Sequence, residues 1–272
     1  MTNHSLLERM HTTLEHSKNN EDRQFVTALG RGLTLLAAFE QQEQLSHQQL
    51  CQMSGLPKAT ITRLVHTLTL LGFLRTTTQG QYQLGSSAVR LSATAWSRHD
   101  VVTVAEPLLR QFATEHQVSV NLATEIDGEM HYLACCRSPA RLSVNLQVGS
   151  AVPIAKTAIG RAFYATSSAT RQSIIQNNLQ QHLSIADYEQ AQTMLTKAQQ
   201  HYQKERYTLS DGEFSPDILA VAVGVFDLTT GRYEYSLNAS VPRASWEAAD
   251  YVAMIVPKLQ ALAEQIGGDL TQ

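Results

Sequence analysis

The chain has 272 residues, 43% of them apolar, which is enough to bury a sizeable core and to form two domains. Its net charge of −3 excludes a bulk nucleic-acid coat, and its longest apolar run, Ile218 to Phe226, is far too short for a membrane span. The N-terminus does not read as a secretory signal, and three cysteines with no Cys-x-x-Cys pair fit a reducing cytoplasm without a disulfide framework.

Residues 1–21 read as a flexible, polar, partly helical arm. A helix is expected over 24–39, with Phe25, Leu29, Leu33, Leu36 and Ala37 on its core face and Arg31 on its polar side. Ser46 and Gln49 then form a capping-box pattern that opens a short helix. Ser54-Gly55 breaks that helix, and Pro57 sits in the first turn of the next. The second helix places Ile61, Leu64, Val65, Leu68 and Leu71 on one face, and Lys58, Thr60, Thr62, Arg63 and His66 on the other. Two short strand-like runs follow, Phe73–Arg75 and Tyr82–Leu84, joined by a loop with Gly80. Helix, tight turn, helix and small hairpin make a winged helix-turn-helix over 22–85, whose second helix enters a major groove.

Charge supports this reading independently. Between Gln44 and His99 there is no Asp or Glu, but there are five cations, Lys58, Arg63, Arg75, Arg90 and Arg98. A segment at +5 within a chain at −3 leaves −8 elsewhere. That is local phosphate affinity without general stickiness. The competing reading is an assembly unit attached to a sensing or metabolic domain. Such a unit needs an apolar exposed face where Lys58, Thr60, Thr62 and Arg63 stand.

A connecting helix is expected over 86–100. Thr103 and Glu106 suggest a second capping box, with Pro107 in the first turn and Val104, Leu108, Leu109 and Phe112 facing a core. From Ser119 the period becomes two, and Asp127-Gly128 turns a hairpin into Met130–Ala134. Leu142–Val148 reads as a third strand. Pro153 precedes a helix from about Thr157 to Ala165, and helices follow near 168–178 and 187–205. Ile218–Phe226 and Tyr233–Ser240 read as strands, and Trp246 to about Ile266 as a closing helix. The mixture gives an α+β fold with a central antiparallel sheet over 101–268.

Other groupings carry less. His47 and Cys51 have a ligand-like i, i+4 spacing but lack further ligands, and His131 with Cys135 and Cys136 reads as a buried strand, so no metal is expected. Glu125, Asp127 and Glu129 read as a solvated hairpin tip. Arg137 and Arg141 can clamp a carboxylate or serve as surface charges. There is no Gly-rich phosphate loop and no Gly-x-Ser-x-Gly elbow, and no enzymatic activity is expected.

Four stretches, ALGRGLTLL (28–36), SGLPKATITRL (54–64), LGFLRTTTQGQYQLG (71–85) and VGSAVPIAKTAIGRAF (148–163), together with Arg206-Tyr207 and the run from Ile218, resemble the IclR family of bacterial transcriptional regulators. The resemblance implies a DNA-binding winged helix, a linker helix and a C-terminal GAF-like domain that binds a small organic acid, with no other cofactor. It also implies a cytoplasmic repressor or activator, acting as a dimer or dimer of dimers on palindromic double-stranded operators. DNA-contacting roles then fall on Arg31, Ser46, Gly55, Lys58, Thr60 and Arg63, with Thr62 on the same helix face and Arg75 at the wing. Effector-contacting positions are Ala158, Ile159, Ser210, Ile218, Ala220, Asn238 and Ser240. Members that bind small acids often carry an acidic residue at the Ser210 position and a cysteine at the Ala220 position. Ala220 enlarges the pocket, which favours a bulkier, aromatic acid.

Overall fold

The computed structural model describes residues 6–20, 22–40, 42–96, 101–137 and 146–270, which fall into two units, 1–98 and 99–272. In the first, helices α1 (Leu6–Asn19), α2 (Thr27–Ala37), α3 (His47–Ser54) and α4 (Lys58–Leu70) precede strands β1 (Leu74–Thr76) and β2 (Tyr82–Leu84) and helix α5 (Ser86–Trp96). The Ser46–Gln49 capping box forms as its sequence requires: Ser46 Oγ accepts from the Gln49 N–H, and Gln49 Oε1 accepts from the Ser46 N–H at 2.9 Å. Gly55 ends α3 in the left-handed region at φ 63°, where a side chain would be strained. Pro57 is the N-cap of α4, its fixed φ leading into the helix. The wing pairs Leu74 with Leu84, and Leu45 adds a bridge to Tyr82. Leu35, Ala38, Phe39, Leu45, Leu50, Ile61, Val65, Leu68 and Leu74 form the core.

Three expectations for this unit change. The arm is a 14-residue helix that is tied to the unit. The Leu6 N–H donates to the Glu40 carboxylate at 2.8 Å, His11 Nε2 meets the Met53 carbonyl at 3.2 Å, and Leu7 packs on the core. On α2 the core takes Gly32, Leu35 and Ala37, while Leu29 and Leu33 lie outward at 61% and 47% exposure. That helix is apolar on more than one side, so periodicity alone could not select the buried one. Leu71, the C-cap of α4, is also exposed.

The second unit runs α6 (Val101–His116), β3 (Ser119–Ile126), β4 (Glu129–Cys136), β5 (Ala151–Pro153), α7 (Ala158–Thr166), α8 (Ala169–His182), α9 (Ile185–Glu205), β6 (Thr208–Asp211), β7 (Ile218–Asp227), β8 (Arg232–Pro242) and α10 (Ala248–Asp269). The six strands form one sheet in the order β5-β4-β3-β8-β7-β6, with every neighbouring pair antiparallel. Helices α6 and α10 pack on it, as do α7 and, through α7, α9. Covered on both faces, the central strands are buried almost throughout rather than at alternate residues. Asp127 and Gly128 both take positive φ, as the two-residue hairpin demands.

Here too the structure corrects expectation. Within the described residues α6 begins at Val101, so Thr103 is not an N-cap and Pro107 sits in the helix interior. Pro107 is on the exposed side, where water can take the carbonyl its missing N–H leaves free. The core face of α6 is Val101, Ala105, Leu109, Phe112 and Ala113. Of the expected strand 142–148, residues 142–145 lie outside the described residues and 146–148 are not extended pairing partners; β5 takes the edge instead, opposite Glu129–His131. The edge strand β6 was not foreseen, being four residues long.

Candidate DNA-reading surface and effector pocket

The exposed side of α4 carries Lys58, Ala59, Thr62, Arg63, His66 and Thr67, all cationic, polar or small, and in the last turn Leu70, 74% exposed. Thr60 is half-buried rather than fully displayed, as is Arg31 on α2. Ser46 is held by its cap at the start of α3, and Gly55 has open space around the position of an absent Cβ. Arg75 lies in β1 opposite Gln83 and is exposed beside the wing loop. The structure thus groups Lys58, Thr62 and Arg63 on one face, with Ser46 and Gly55 at either end of the neighbouring helix.

The pairing register of the second unit brings together residues far apart in sequence. Ser210, Ala220, Ser240 and Ser119 face one another in a row across β6, β7, β8 and β3. The next row along is Thr208, Ala222, Asn238, Asn121 and Cys135. Ala220 and Ala222 pack in one cluster with Ala158, Ile159 and Phe163 of α7, which places both rows on the face that α7 covers. Nearly all these side chains are small or polar and buried. Asn121 Nδ2 donates to Asn238 Oδ1 at 3.0 Å, and Thr208 Oγ1 donates to the Ala158 carbonyl at 2.7 Å, tying the rows to the start of α7. Ile218 flanks them, half-buried.

Helix α7 begins at a cap. Thr157 Oγ1 accepts from the Gly160 N–H at 3.2 Å and donates to the Pro153 carbonyl at 2.8 Å. The N–H groups of Ala158 and Ile159 precede any carbonyl their own helix can offer, so this end attracts an anion. Gly160 lets the helix close on the preceding loop, because a Cβ there would stand 2.3 Å from the Ile154 carbonyl oxygen.

Arg161 carried no signal in the sequence pattern beyond being a charge inside an apolar helix, yet it is 7% exposed at this same helix end. Its side chain reaches back toward the N-terminus, as long helical side chains do. Nε donates to the Ala155 carbonyl at 2.7 Å, and Nη1 donates to the Leu209 carbonyl and to Glu213 Oε2, both at 2.9 Å. Nη2 is buried with no hydrogen-bond partner among the described residues.

The remaining groupings resolve structurally. Glu125 is not a solvated tip residue: its buried carboxylate takes the Gly128 N–H and Arg171, each at 2.6 Å, and so braces the hairpin turn against α8. Arg137 donates to the Leu146 carbonyl, and Arg141 lies outside the described residues. Burial pushes the Cys135 thiol up to about 12, which keeps it protonated. Among the described residues no cluster of three or more metal-ligating side chains occurs, and no helix is long and apolar enough to cross a membrane.

Comparison with known proteins agrees with this geometry. Residues 28–78 match the IclR helix-turn-helix domain, and residues 93–267 match the bacterial transcriptional regulator IclR C-terminal domain. The chain is 28% identical over 203 residues to the HTH-type transcriptional regulator TsaQ1/TsaQ2 of Comamonas testosteroni, covering 74% of this chain and 73% of that one. An IclR family transcriptional regulator from Brucella abortus superposes with a TM-score of 0.66 at 30% identity, over 92% of this chain and 94% of the other. An IclR homolog from Microbacterium hydrocarbonoxydans, solved with 4-hydroxybenzoate, shares the fold at TM-score 0.72 and 19% identity, over 90% and 99% of the two chains. An N-terminal DNA-binding helix-turn-helix joined to a C-terminal ligand-binding domain, matched over both parts, makes this chain a member of the IclR family of bacterial transcriptional regulators.

Proposed function

We propose that this regulator binds a palindromic operator as a dimer or dimer of dimers, and that a small organic acid in the C-terminal domain sets its operator affinity. The observation that carries the effector half is the meeting of the α7 N-terminus with the buried serine and asparagine rows on one sheet face. The carboxylate takes the first-turn N–H groups of Ala158 and Ile159, while Ser210, Asn238 and Ser240 offer hydroxyl and amide partners and Ile218 and Ala220 form the apolar wall. A methyl at Ala220, in place of a longer side chain, argues for an aromatic acid, and the Microbacterium relative's 4-hydroxybenzoate belongs to the class proposed.

In the DNA half, Arg63 donates to a guanine edge and Lys58, Thr60 and Thr62 lie along the groove. Arg31, Ser46, Gly55 and Arg75 approach the phosphate backbone. Helix α5, within the segment 86–100, links the winged helix of 22–85 to the domain of 101–268. Effector binding changes the spacing of two winged helices, which must match the DNA repeat. The protein is cytoplasmic, acts without catalysis and needs no metal or cofactor beyond the acid.

The test is fluorescence-anisotropy titration of DNA from upstream of the protein's own gene, at two salt concentrations, with and without a panel of aliphatic and aromatic carboxylates. Selective, salt-sensitive binding altered by an aromatic acid is expected. Response only to acids of two or three carbons would overturn the pocket assignment, and absence of selective DNA binding would overturn the whole reading.

A further inference from the structure

Three side chains on the helix-turn-helix form a hydrogen-bonded series, of which the roles above use only Thr62. Cys51 Sγ lies 3.6 Å from His47 Nδ1, His47 Nε2 lies 3.0 Å from Thr62 Oγ1, and Thr62 Oγ1 lies 3.0 Å from the Lys58 carbonyl oxygen. The proton count fixes the direction of each bond. A carbonyl only accepts, so the single Thr62 O–H is directed to Lys58, the usual back-bond of a helical threonine. His47 Nε2 must then carry the proton donated to Thr62 Oγ1. Nδ1 is left bare to accept the Cys51 S–H. The opposite assignment would set oxygen lone pairs of Thr62 and Lys58 against each other.

With its hydroxyl engaged by both the Lys58 carbonyl and His47, the methyl is the group that the exposed Thr62 has left to offer a base. It is exposed in the second turn of α4, beside Arg63 and one turn from both Lys58 and His66. The N-terminal part of a recognition helix is the part that meets base edges. In the major groove, thymine is the base that displays a methyl group of its own.

We propose that Thr62 reads a thymine through methyl–methyl contact, and that His47 and Cys51 are positioning residues that hold its hydroxyl away from the base edge. This rests on the DNA-reading role proposed for α4. Its consequence is unusual for a threonine at such a site: the hydroxyl is dispensable and the methyl is not.

The experiment begins with selection of binding sites by the full-length protein from a random duplex pool. Each thymine of the selected half-site is then replaced singly by deoxyuridine, which lacks only the methyl, and affinities are measured by anisotropy. One thymine per half-site should lose affinity about three- to fivefold, the value of one buried methyl. Thr62→Val should keep that sensitivity and Thr62→Ser should lose it; both change an exposed residue, and circular dichroism checks that they fold. His47→Leu should reduce the sensitivity, and His47→Gln, which again offers a donor toward Thr62, should restore it. Methyl-blind thymines, or loss of base preference in Thr62→Val, would overturn this inference while leaving the regulator intact. A pool that yields no motif would overturn both.

Discussion

Arg63 is on the exposed side of α4, so removing its side chain should leave the fold unchanged and delete the proposed base-edge contact. Arg63→Ala should cost about 1–3 kcal/mol of operator binding and relax preference at one base pair in each half-site, with other positions unaltered. Competition binding against single-base operator variants checks it; a uniform loss across all positions would assign Arg63 to phosphate instead. His116, at the end of α6, gives a second residue-level expectation. Burial lowers its pKa from 6.5, Lys258 lowers it further, and Glu115 partly opposes both. A depressed value means the folded state prefers neutral imidazole. The stability it contributes is therefore present above the unfolded-state value of 6.5 and is lost as pH falls through the folded-state value below it. Denaturant titrations at pH 7.5 and 5.5 should show a smaller loss of stability for His116→Gln than for the parent chain. Equal losses would mean that the ring is hydrated in the native state.

The elements divide sharply between those legible from the sequence and those that were not. Ser46–Gln49, Gly55, Asp127-Gly128 and the Thr157 cap each have a local cause, so their residue types announced them. The α2 face, the Pro107 position and β6 were set by packing partners distant in sequence, which no local pattern encodes. The same division runs through the candidate pocket. Its positions came from the family resemblance, from which Ser210 and Ala220 depart, while the Ser210–Ala220–Ser240–Ser119 row exists only through strand register. Arg161 and Glu125 needed partners tens of residues away to explain their burial. One tight packing lies at α7, where Gly160 touches the Ile154 backbone. Gly160→Ala forces the helix start away from that loop, since a carbonyl oxygen cannot yield like a flexible side chain. The expected cost is about 1–3 kcal/mol, read by denaturation, together with weakened response to the acid effector. An unchanged midpoint and unchanged response would show that the loop moves freely and that the helix end is not a fixed binding element.

At the scale of the whole molecule, what the N-terminal unit leaves uncovered offers a place for the proposed self-association. Val26, Leu29 and Leu33 lie along one side of α2 and its approach at 63%, 61% and 47% exposure, on a unit whose recognition helix shows polar and basic groups over its first turns. An apolar stripe opposed to water on a DNA-binding unit is best relieved by a second copy, and a two-fold pair is what a palindromic site requires. Replacing Leu29 and Leu33 together by Glu removes apolar area from that stripe and adds like charges that would face each other across the axis. Because both side chains are exposed and outside the core, the monomer should remain folded, with circular dichroism unchanged. Sedimentation should then show a smaller assembly. Operator affinity should fall much further than it does for a single base-contact variant, because the second half-site no longer benefits from being tethered to the first. Single half-site DNA should bind the variant and the parent unit within the modest difference that two added negative charges impose. If the variant still sediments as the parent does, association runs through surfaces other than the α2 stripe, which must then be assigned to another partner.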